Sequence, residues 1–257
     1  PLSFSASPFF EFTREFMNLE PEAWTLRWYR QMVGIASVGD TTVVSNKWML
    51  GTRNSFIIGI SATFLATALG TVAALGLSRR NMPFKGTIMA ILISPMIVPL
   101  IITSAGMFFF YSKIGLTHTY LGLILAHTAL GTPFVVITVT ATLTGFDTNL
   151  IRASQSLGAD TMRTFFKVIM PLILPGVISG ALFAFITSFD EVVVVMFVGS
   201  VEQITIPKQM WAGLRQETSP VILCMATCLV ALSIALLTTV ELLRRRSERL
   251  RGIKLRN

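Results

Sequence analysis

The chain has 257 residues, of which 53% are hydrophobic and 13% are charged, and its mean hydropathy is +0.69. A charged fraction so far below the roughly 25% usual in soluble domains excludes an ordinary soluble protein and indicates an integral membrane protein. The formal net charge of +8 does not indicate nucleic-acid binding, because most lysines and arginines flank apolar segments on one side of the predicted membrane.

Five apolar runs are each long enough to cross about 30 Å of hydrocarbon as an α-helix. They are residues 54–77, 87–111, 119–140, 171–198 and 218–243. The opening stretch PLSFSASPFF has the character of the end of a hydrophobic segment, so we expect a further span before it and six in all. The distribution of basic residues places the C-terminus in the cytoplasm, residues 1–53 outside, and 244–257 in a basic cytoplasmic tail suited to anionic lipid.

Before the first visible span, the external segment contains EPEAWTLRWYRQMVG, which predicts a helix that ends near Gly34. Trp24, Leu26, Trp28 and Tyr29 are suited to the membrane interface. The segment is either an interfacial packing helix or a contact surface for an external partner.

The first visible span contains small residues at every fourth position, namely Ala62, Ala66, Gly70 and Ala74. This stripe lies on one helix face and predicts the close approach of another helix.

The second visible span contains Pro95 and Pro99, each of which removes a helical hydrogen-bond donor. We expect this span to be kinked or partly unwound. Broken helices line the pathway of many transporters, although a kink can also serve packing alone.

No motif in the sequence predicts an enzyme. The chain lacks the phosphate-binding G-x-x-x-x-G-K-[ST] pattern, G-x-S-x-G, H-E-x-x-H and the dinucleotide fingerprint. His118 and His127 have no companions at metal-ligand spacing, so we expect an interfacial position or a hydrogen bond for them. We therefore predict no catalytic residue, metal or cofactor in this chain.

A polar loop, residues 145–167, interrupts the apolar sequence on the cytoplasmic side. Asp147 is placed to cap a short helix, Gly158 to end it, and Asp160 to cap a second helix that enters the membrane at Pro171. Two short helices joined at a glycine predict a projection that a partner can hold. We call residues 145–167 the coupling loop.

The coupling loop resembles the cytoplasmic EAA loop of permease subunits of binding-protein-dependent ABC importers. That pattern is Glu-Ala-Ala, three residues, Gly, nine residues, Ile, one residue, Leu-Pro. Ala153, Gly158 and Pro171 match it, and the chain departs from it at Arg152, Ser154, Val168 and Met170. The stretches WYRQMV, NSFIIG and SFDEVVVVMFVGSVEQITIPKQMWAGLRQETSP are similar to the spermidine/putrescine permease group.

The resemblance implies an all-α membrane protein with the type I ABC importer transmembrane fold, forming one domain over 1–257 with a transmembrane core at 54–243. It also implies a bacterial inner-membrane location and a set of partners: a second permease subunit, two ATP-binding subunits that hold ATP and Mg, and an external substrate-binding protein. In this family the EAA loop is a coupling helix that docks on the ATP-binding subunit. The residues that it assigns to coupling are Arg152, Ala153, Ser154, Leu157, Gly158, Ala159, Asp160 and Pro171.

Asp190 and Glu191 fall well inside the apolar run 171–198. A carboxylate near mid-bilayer costs about 2.5 to 3.5 kcal/mol on insertion scales, so such groups face a bundle interior or an aqueous path. Adjacent helical residues point about 100° apart, so both carboxylates are not expected to serve one ligand equally. An anion beside aromatic rings suits an amine or polyamine, whereas the alternative is a hydrogen bond between helices or a partner's arginine. The predicted substrate-pathway residues are Asp190, Glu191, Phe189, Thr187 and Phe183.

The favoured prediction is therefore an importer permease for a small cationic solute, with polyamines ahead of opines and amino acids. A self-sufficient carrier that uses the two carboxylates as coupling-ion sites is the main alternative. A membrane enzyme is the other, although the sequence offers no cluster of catalytic groups for it.

Overall fold

A computed structural model of the chain describes residues 27–34, 47–79, 81–145, 147, 149–216 and 220–250. Within these ranges the regular secondary structure is helical, as the composition predicts. In chain order the helices are α1 (Arg27–Met32), α2 (Lys47–Leu77), α3 (Lys85–Ile97), α4 (Leu100–Ile114), α5 (Tyr120–Thr144), α6 (Asn149–Ser156), α7 (Thr161–Thr164), a π-helical turn (Phe165–Ile169), α8 (Met170–Phe189), α9 (Val193–Val198), α10 (Ile206–Gln216) and α11 (Pro220–Leu250).

Among the described residues, three helical stretches are long and apolar enough to cross a membrane, and a fourth results if α3 and α4 count as one broken span. The three are Lys47–Leu77, Tyr120–Thr144 and Thr161–Phe189. The last predicted span falls within α11, whose described apolar part, Val221–Ala235, is shorter. Three of the other predicted runs coincide with these stretches, whereas the fourth, 171–198, continues beyond the end of its stretch at Phe189.

The predicted second span is broken at its prolines. α3 ends at Ile97 and α4 begins at Leu100, with a bend of 104° between the two helices. Pro95 cannot donate the helical hydrogen bond to the Ile91 carbonyl, and the Ser94 hydroxyl donates to that carbonyl at 2.8 Å instead. The predicted interruption is confirmed.

The small residues of α2 face α5. Ala62, Ala66 and Ala74 are buried, and a Cβ atom added to Gly70 would lie 2.6 Å from the Cβ atom of Val135 on α5. Small side chains let two helix backbones approach closely where lipid provides no hydrophobic driving force. The predicted packing stripe is therefore confirmed.

A second close contact joins α5 to α8, which pack together along their length. Gly180 of α8 permits it, because a Cβ atom there would lie 2.8 Å from the Cα atom of Val135, and Gly176 faces the Thr142 side chain in the same way. Ile173 is fully buried in the cluster between these helices. α5 is thus packed against both α2 and α8, and Val135 contacts each of them.

The described residues form two compact units. One spans Leu50–Gln209, and the other contains the described parts of residues 1–49 and 210–257, in which α1 packs against α11. The division into a single domain remains a prediction. Of the predicted interfacial helix, α1 is described, whereas Trp24 and Leu26 lie outside the described residues.

Candidate functional site

The coupling loop has the two capped helices that the sequence predicts. The Asp147 carboxylate accepts a hydrogen bond from the backbone N–H of Asn149 at 2.9 Å, just before the first turn of α6. Gly158 has φ of +81°, the left-handed conformation that glycine adopts without steric cost. Asp160 caps α7 by accepting from the backbone N–H of Arg163 at 2.6 Å. All three predicted roles are confirmed.

The tip of the coupling loop is open to solvent and partly apolar. Arg152, Ala153 and Asp160 are exposed, Ala159 is half-buried, and the Leu157 side chain is 89% exposed. Burial of this leucine by a partner would be favourable, because it would remove apolar surface from water. The tip therefore has the chemistry of a docking surface.

A hydrogen bond between side chains joins the two helices of the loop. The hydroxyl oxygens of Ser154 on α6 and Thr164 on α7 lie 2.8 Å apart. Thr164 is only 3% exposed, so the bond is shielded on that side from competing water. The sequence analysis did not single out Thr164, because no local pattern predicts which hydroxyls meet across a turn.

From the second cap, one continuous helical stretch runs to the other end of the span. Thr161–Phe189 is 29 residues long, about 43 Å at 1.5 Å per residue. It contains Pro175 inside α8 and, before that, the π-helical turn, in which the Met170 N–H donates to the Phe165 carbonyl. Pro171 explains this turn, since its ring would clash with the carbonyl of Lys167 in a regular α-helix. The helical stretch thus continues through Pro171 without a break, and the entry into the membrane at that residue stays a prediction.

The expectation that Asp190 and Glu191 lie inside one helix is wrong. α8 ends at Phe189, and α9 begins only at Val193. Asp190 is the C-terminal cap of α8, and its side chain is exposed. The Glu191 side chain is 6% exposed, and its carboxylate accepts from the Val194 N–H at 2.8 Å. The two carboxylates therefore have different surroundings: the Glu191 carboxylate is hydrogen-bonded to the start of α9, whereas the Asp190 carboxylate is exposed to solvent.

The predicted aromatic residues belong to two separate contacts. Phe183, 51% exposed, stacks on Phe134 of α5 with ring centroids 6.1 Å apart. Phe189 meets Phe56 of α2 and Phe185, each with centroids 5.3 Å apart. The ring next to Asp190 in the chain is that of Phe189.

Two other residues before Asp190 complete the end of α8. Thr187 is half-buried, and Ser188 is buried with its hydroxyl 2.8 Å from Nδ1 of His127 on α5. This contact agrees with the prediction that His127 makes a hydrogen bond. Within the described residues no group of three or more His, Cys, Asp or Glu side chains is placed to hold a metal ion.

The segment after α9 is also fixed, through residues that the sequence did not single out. The Asn54 side chain, 0% exposed, donates to the carbonyls of Glu202 and Ile204 at 3.1 and 2.9 Å and accepts from the Tyr120 hydroxyl at 3.0 Å. The segment that follows α9 is therefore held against α2 and the start of α5. Asp190 thus lies between the end of α8, which is bonded to α5 through Ser188, and a segment after α9 that is bonded to α2 through Asn54.

Comparison with known proteins gives the family of this architecture. Residues 66–249 match the family described as "Binding-protein-dependent transport system inner membrane component". The spermidine/putrescine transport system permease protein PotC of Haemophilus influenzae is 28% identical over 92% of this chain and 88% of its own length. The putrescine transport system permease protein PotI of Escherichia coli is 27% identical over 80% of this chain and 73% of its own length.

Two solved structures have the same fold. An inward-facing methionine ABC transporter, MetNI, matches with a TM-score of 0.57 and 22% identity over 79% of this chain and 94% of the matched chain. A bacterial ABC transporter that imports the acidic polysaccharide alginate matches with a TM-score of 0.65 and 14% identity, over 84% of this chain and 80% of that chain. The predicted fold class, an all-α ABC importer transmembrane domain, is confirmed.

Proposed function

This chain belongs to the inner membrane components of binding-protein-dependent transport systems, and we propose that it is a permease subunit of an ATP-driven importer of polyamines such as spermidine and putrescine. The observation that supports this proposal most strongly is the uninterrupted helical stretch Thr161–Phe189. It joins a solvent-exposed docking loop at one end to an exposed carboxylate at the other.

The stretch provides a mechanical connection between the two ends. The exposed tip at Leu157 is the docking surface for an ATP-binding subunit, together with Arg152, Ala153, Ser154, Gly158, Ala159 and Asp160. A partner that moves this tip pulls on α7, and the continuous helix carries the displacement through Pro171 to Asp190. ATP and Mg are held by the partner, because the sequence has no phosphate-binding loop of its own.

Asp190 is the group that we assign to the substrate cation. Its carboxylate is exposed, and the preceding residue is Phe189. It takes no part in the hydrogen bond that Glu191 makes to the backbone of α9. An ammonium group gains from ion pairing with a carboxylate and from the face of an aromatic ring. Phe189, Phe183 and Thr187 contribute to the pathway surface, whereas Glu191 acts by fixing the start of α9.

The other partners follow from the import mechanism. The complex contains a second permease subunit, two ATP-binding subunits and an external substrate-binding protein that delivers the polyamine. The C-terminal tail lies in the cytoplasm, where its basic residues 244–257 meet anionic lipid headgroups. Opines or amino acids are the next substrate candidates, because related importers share much of the sequence.

The main alternative, an ion-driven carrier, predicts transport by this chain alone. The discriminating experiment purifies the complex from membranes through a tag on this chain and reconstitutes it in liposomes. We expect an ATP-binding subunit to co-purify, and labelled spermidine or putrescine uptake to require both ATP and the loaded binding protein. Uptake by the isolated chain without ATP, or a complex without an ATPase, would reject the proposal.

A further inference from the structure

Among the residues of the coupling loop that the structure describes, one side-chain hydrogen bond joins the two helices. The hydroxyls of Ser154 and Thr164 lie 2.8 Å apart, and Thr164 is nearly completely buried. The other side-chain bonds at the ends of these helices are local: Asp160 bonds to its own first turn, and the Ser156 hydroxyl donates to the Arg152 carbonyl in its own helix. The hydroxyl pair is thus the side-chain link between α6 and α7.

The position of this link bears on how movement passes through the loop. Gly158 lies between the two helices with φ of +81°, and the N–H groups of Gly158 and Ala159 donate to the Gln155 and Ser154 carbonyls, so the backbone bonds of the turn close on α6 and not on α7. A force applied to α6 is therefore divided between a change of the angle between the helices and a displacement of α7. A bond between the helices opposes that change.

The pair also accounts for a departure from the family pattern. Ser154 occupies the second alanine position of the EAA pattern, where an alanine has no hydroxyl to offer Thr164. The serine hydroxyl also lies 3.0 Å from the Ile151 carbonyl, so its donor and acceptor capacity are both used. The substitution therefore adds a contact without leaving an unsatisfied polar group.

We propose that Ser154 and Thr164 are positioning residues that clasp the coupling loop, so that displacement of α6 by the ATP-binding subunit reaches α8 instead of being lost as bending at Gly158. The proposal rests on the proposed function, because it needs an ATP-driven partner. It predicts a specific defect: variants without the clasp hydrolyse ATP but transport less solute for each ATP consumed.

The experiment uses the reconstituted complex with Ser154→Ala, Thr164→Val and the double variant. ATP hydrolysis and spermidine uptake are measured on the same proteoliposomes, with the loaded binding protein present. We expect each single variant to lower the uptake per ATP by roughly two- to tenfold, the range for loss of one hydrogen bond. The uptake per ATP of the double variant should be no lower than that of the more defective single variant, because both changes remove the same bond.

Two further variants separate the clasp from general damage. Thr164→Ser keeps the hydroxyl and should retain most of the wild-type ratio. Thr144→Val makes the same type of change at the cytoplasmic end of α5, where the hydroxyl bonds only to the Thr140 carbonyl of its own helix, and should leave the ratio unchanged.

The outcomes are distinct. An unchanged uptake per ATP in both single variants, or a double variant whose defect is the product of the two, rejects the clasp while leaving the proposed function in place. A Thr164→Ser variant as defective as Thr164→Val also rejects it, since keeping the hydroxyl would then not preserve the uptake per ATP. A wild-type complex without ATP-dependent uptake rejects the proposed function and the clasp with it.

Discussion

Separate replacement of Asp190 and Glu191 gives two different defects if the carboxylates have the roles proposed for them. Asp190→Asn removes a charge from an exposed side chain without altering a hydrogen bond that holds the fold. A charge-assisted hydrogen bond contributes about 1.5 to 3 kcal/mol, so the KM for polyamine uptake should rise roughly 10- to 100-fold. Protein stability should stay within about 0.5 kcal/mol of wild type.

Glu191→Ala has the opposite signature. It leaves the Val194 N–H buried without its acceptor, which costs about 1 to 3 kcal/mol. We expect a lower melting temperature of the purified complex and a reduced amount in membranes. The uptake of the folded fraction should keep its KM, because this carboxylate does not face the substrate in our assignment.

Glu191→Gln is the matched control, since the amide oxygen can still accept from Val194. Initial rates of labelled spermidine uptake over a range of concentrations, measured with thermal unfolding of the same preparations, separate the two effects. The assignment is refuted if Asp190→Asn transports with wild-type KM. It is equally refuted if Glu191→Gln raises the KM while the stability is unchanged.

Three other substitutions test the fold around this site. Gly70→Ala should destabilise the protein by about 1 to 3 kcal/mol in thermal unfolding, because its Cβ would lie 2.6 Å from Cβ of Val135. The control is Gly145→Ala, whose added Cβ meets open space. Equal melting temperatures of the two variants would contradict the packing. Gly158→Ala should lower the local stability of the coupling loop by about 1 to 2 kcal/mol, since φ at this residue is +81°. Amide hydrogen exchange in the loop should then be faster, and unchanged exchange would contradict this prediction. Asn54→Leu removes two donated bonds and should expose the segment after α9 to added protease; wild-type resistance would show that the segment is held by other contacts.

Much of the coupling loop was predictable, because its structure depends on neighbours in the sequence. Gly158 ends one helix through its backbone conformation, and Asp160 starts the next through a bond to a residue three positions away. Pro95 and Pro99 interrupt a helix for an equally local reason, the missing N–H. The stripe that includes Gly70 was predictable as a contact surface, although not the identity of the helix that it meets.

The end of α8 was not predictable in the same way. The sequence SFDEVVVVMFVG contains no proline, and its first glycine is Gly199, so its hydropathy predicts one uninterrupted span. The helix stops at Phe189 because Glu191 offers its carboxylate to the backbone of α9, a local bond that competes with helix continuation. The signal present in the sequence is a carboxylate followed by valines, which are stiff at χ1 and poor helix formers. The partner of Ser188, His127, is 61 positions away and leaves no local trace.

The two interruptions in the membrane are linked by the helices that follow them. α4 begins after the bend at Ile97, α9 begins after the break at Asp190, and the two helices pack together. Tyr111, Val194 and Val198 are buried in the cluster that they share. Close-packed clusters switch between discrete arrangements rather than deforming continuously, so we expect α4 and α9 to move as one body. In the mechanism that we propose, the helical stretch that ends at Phe189 shifts relative to that body when the coupling loop is displaced. Asp190 lies at the junction between α8 and α9, so we expect its carboxylate to change surroundings during such a shift, as a cation site that is offered first to one side of the membrane and then to the other would require.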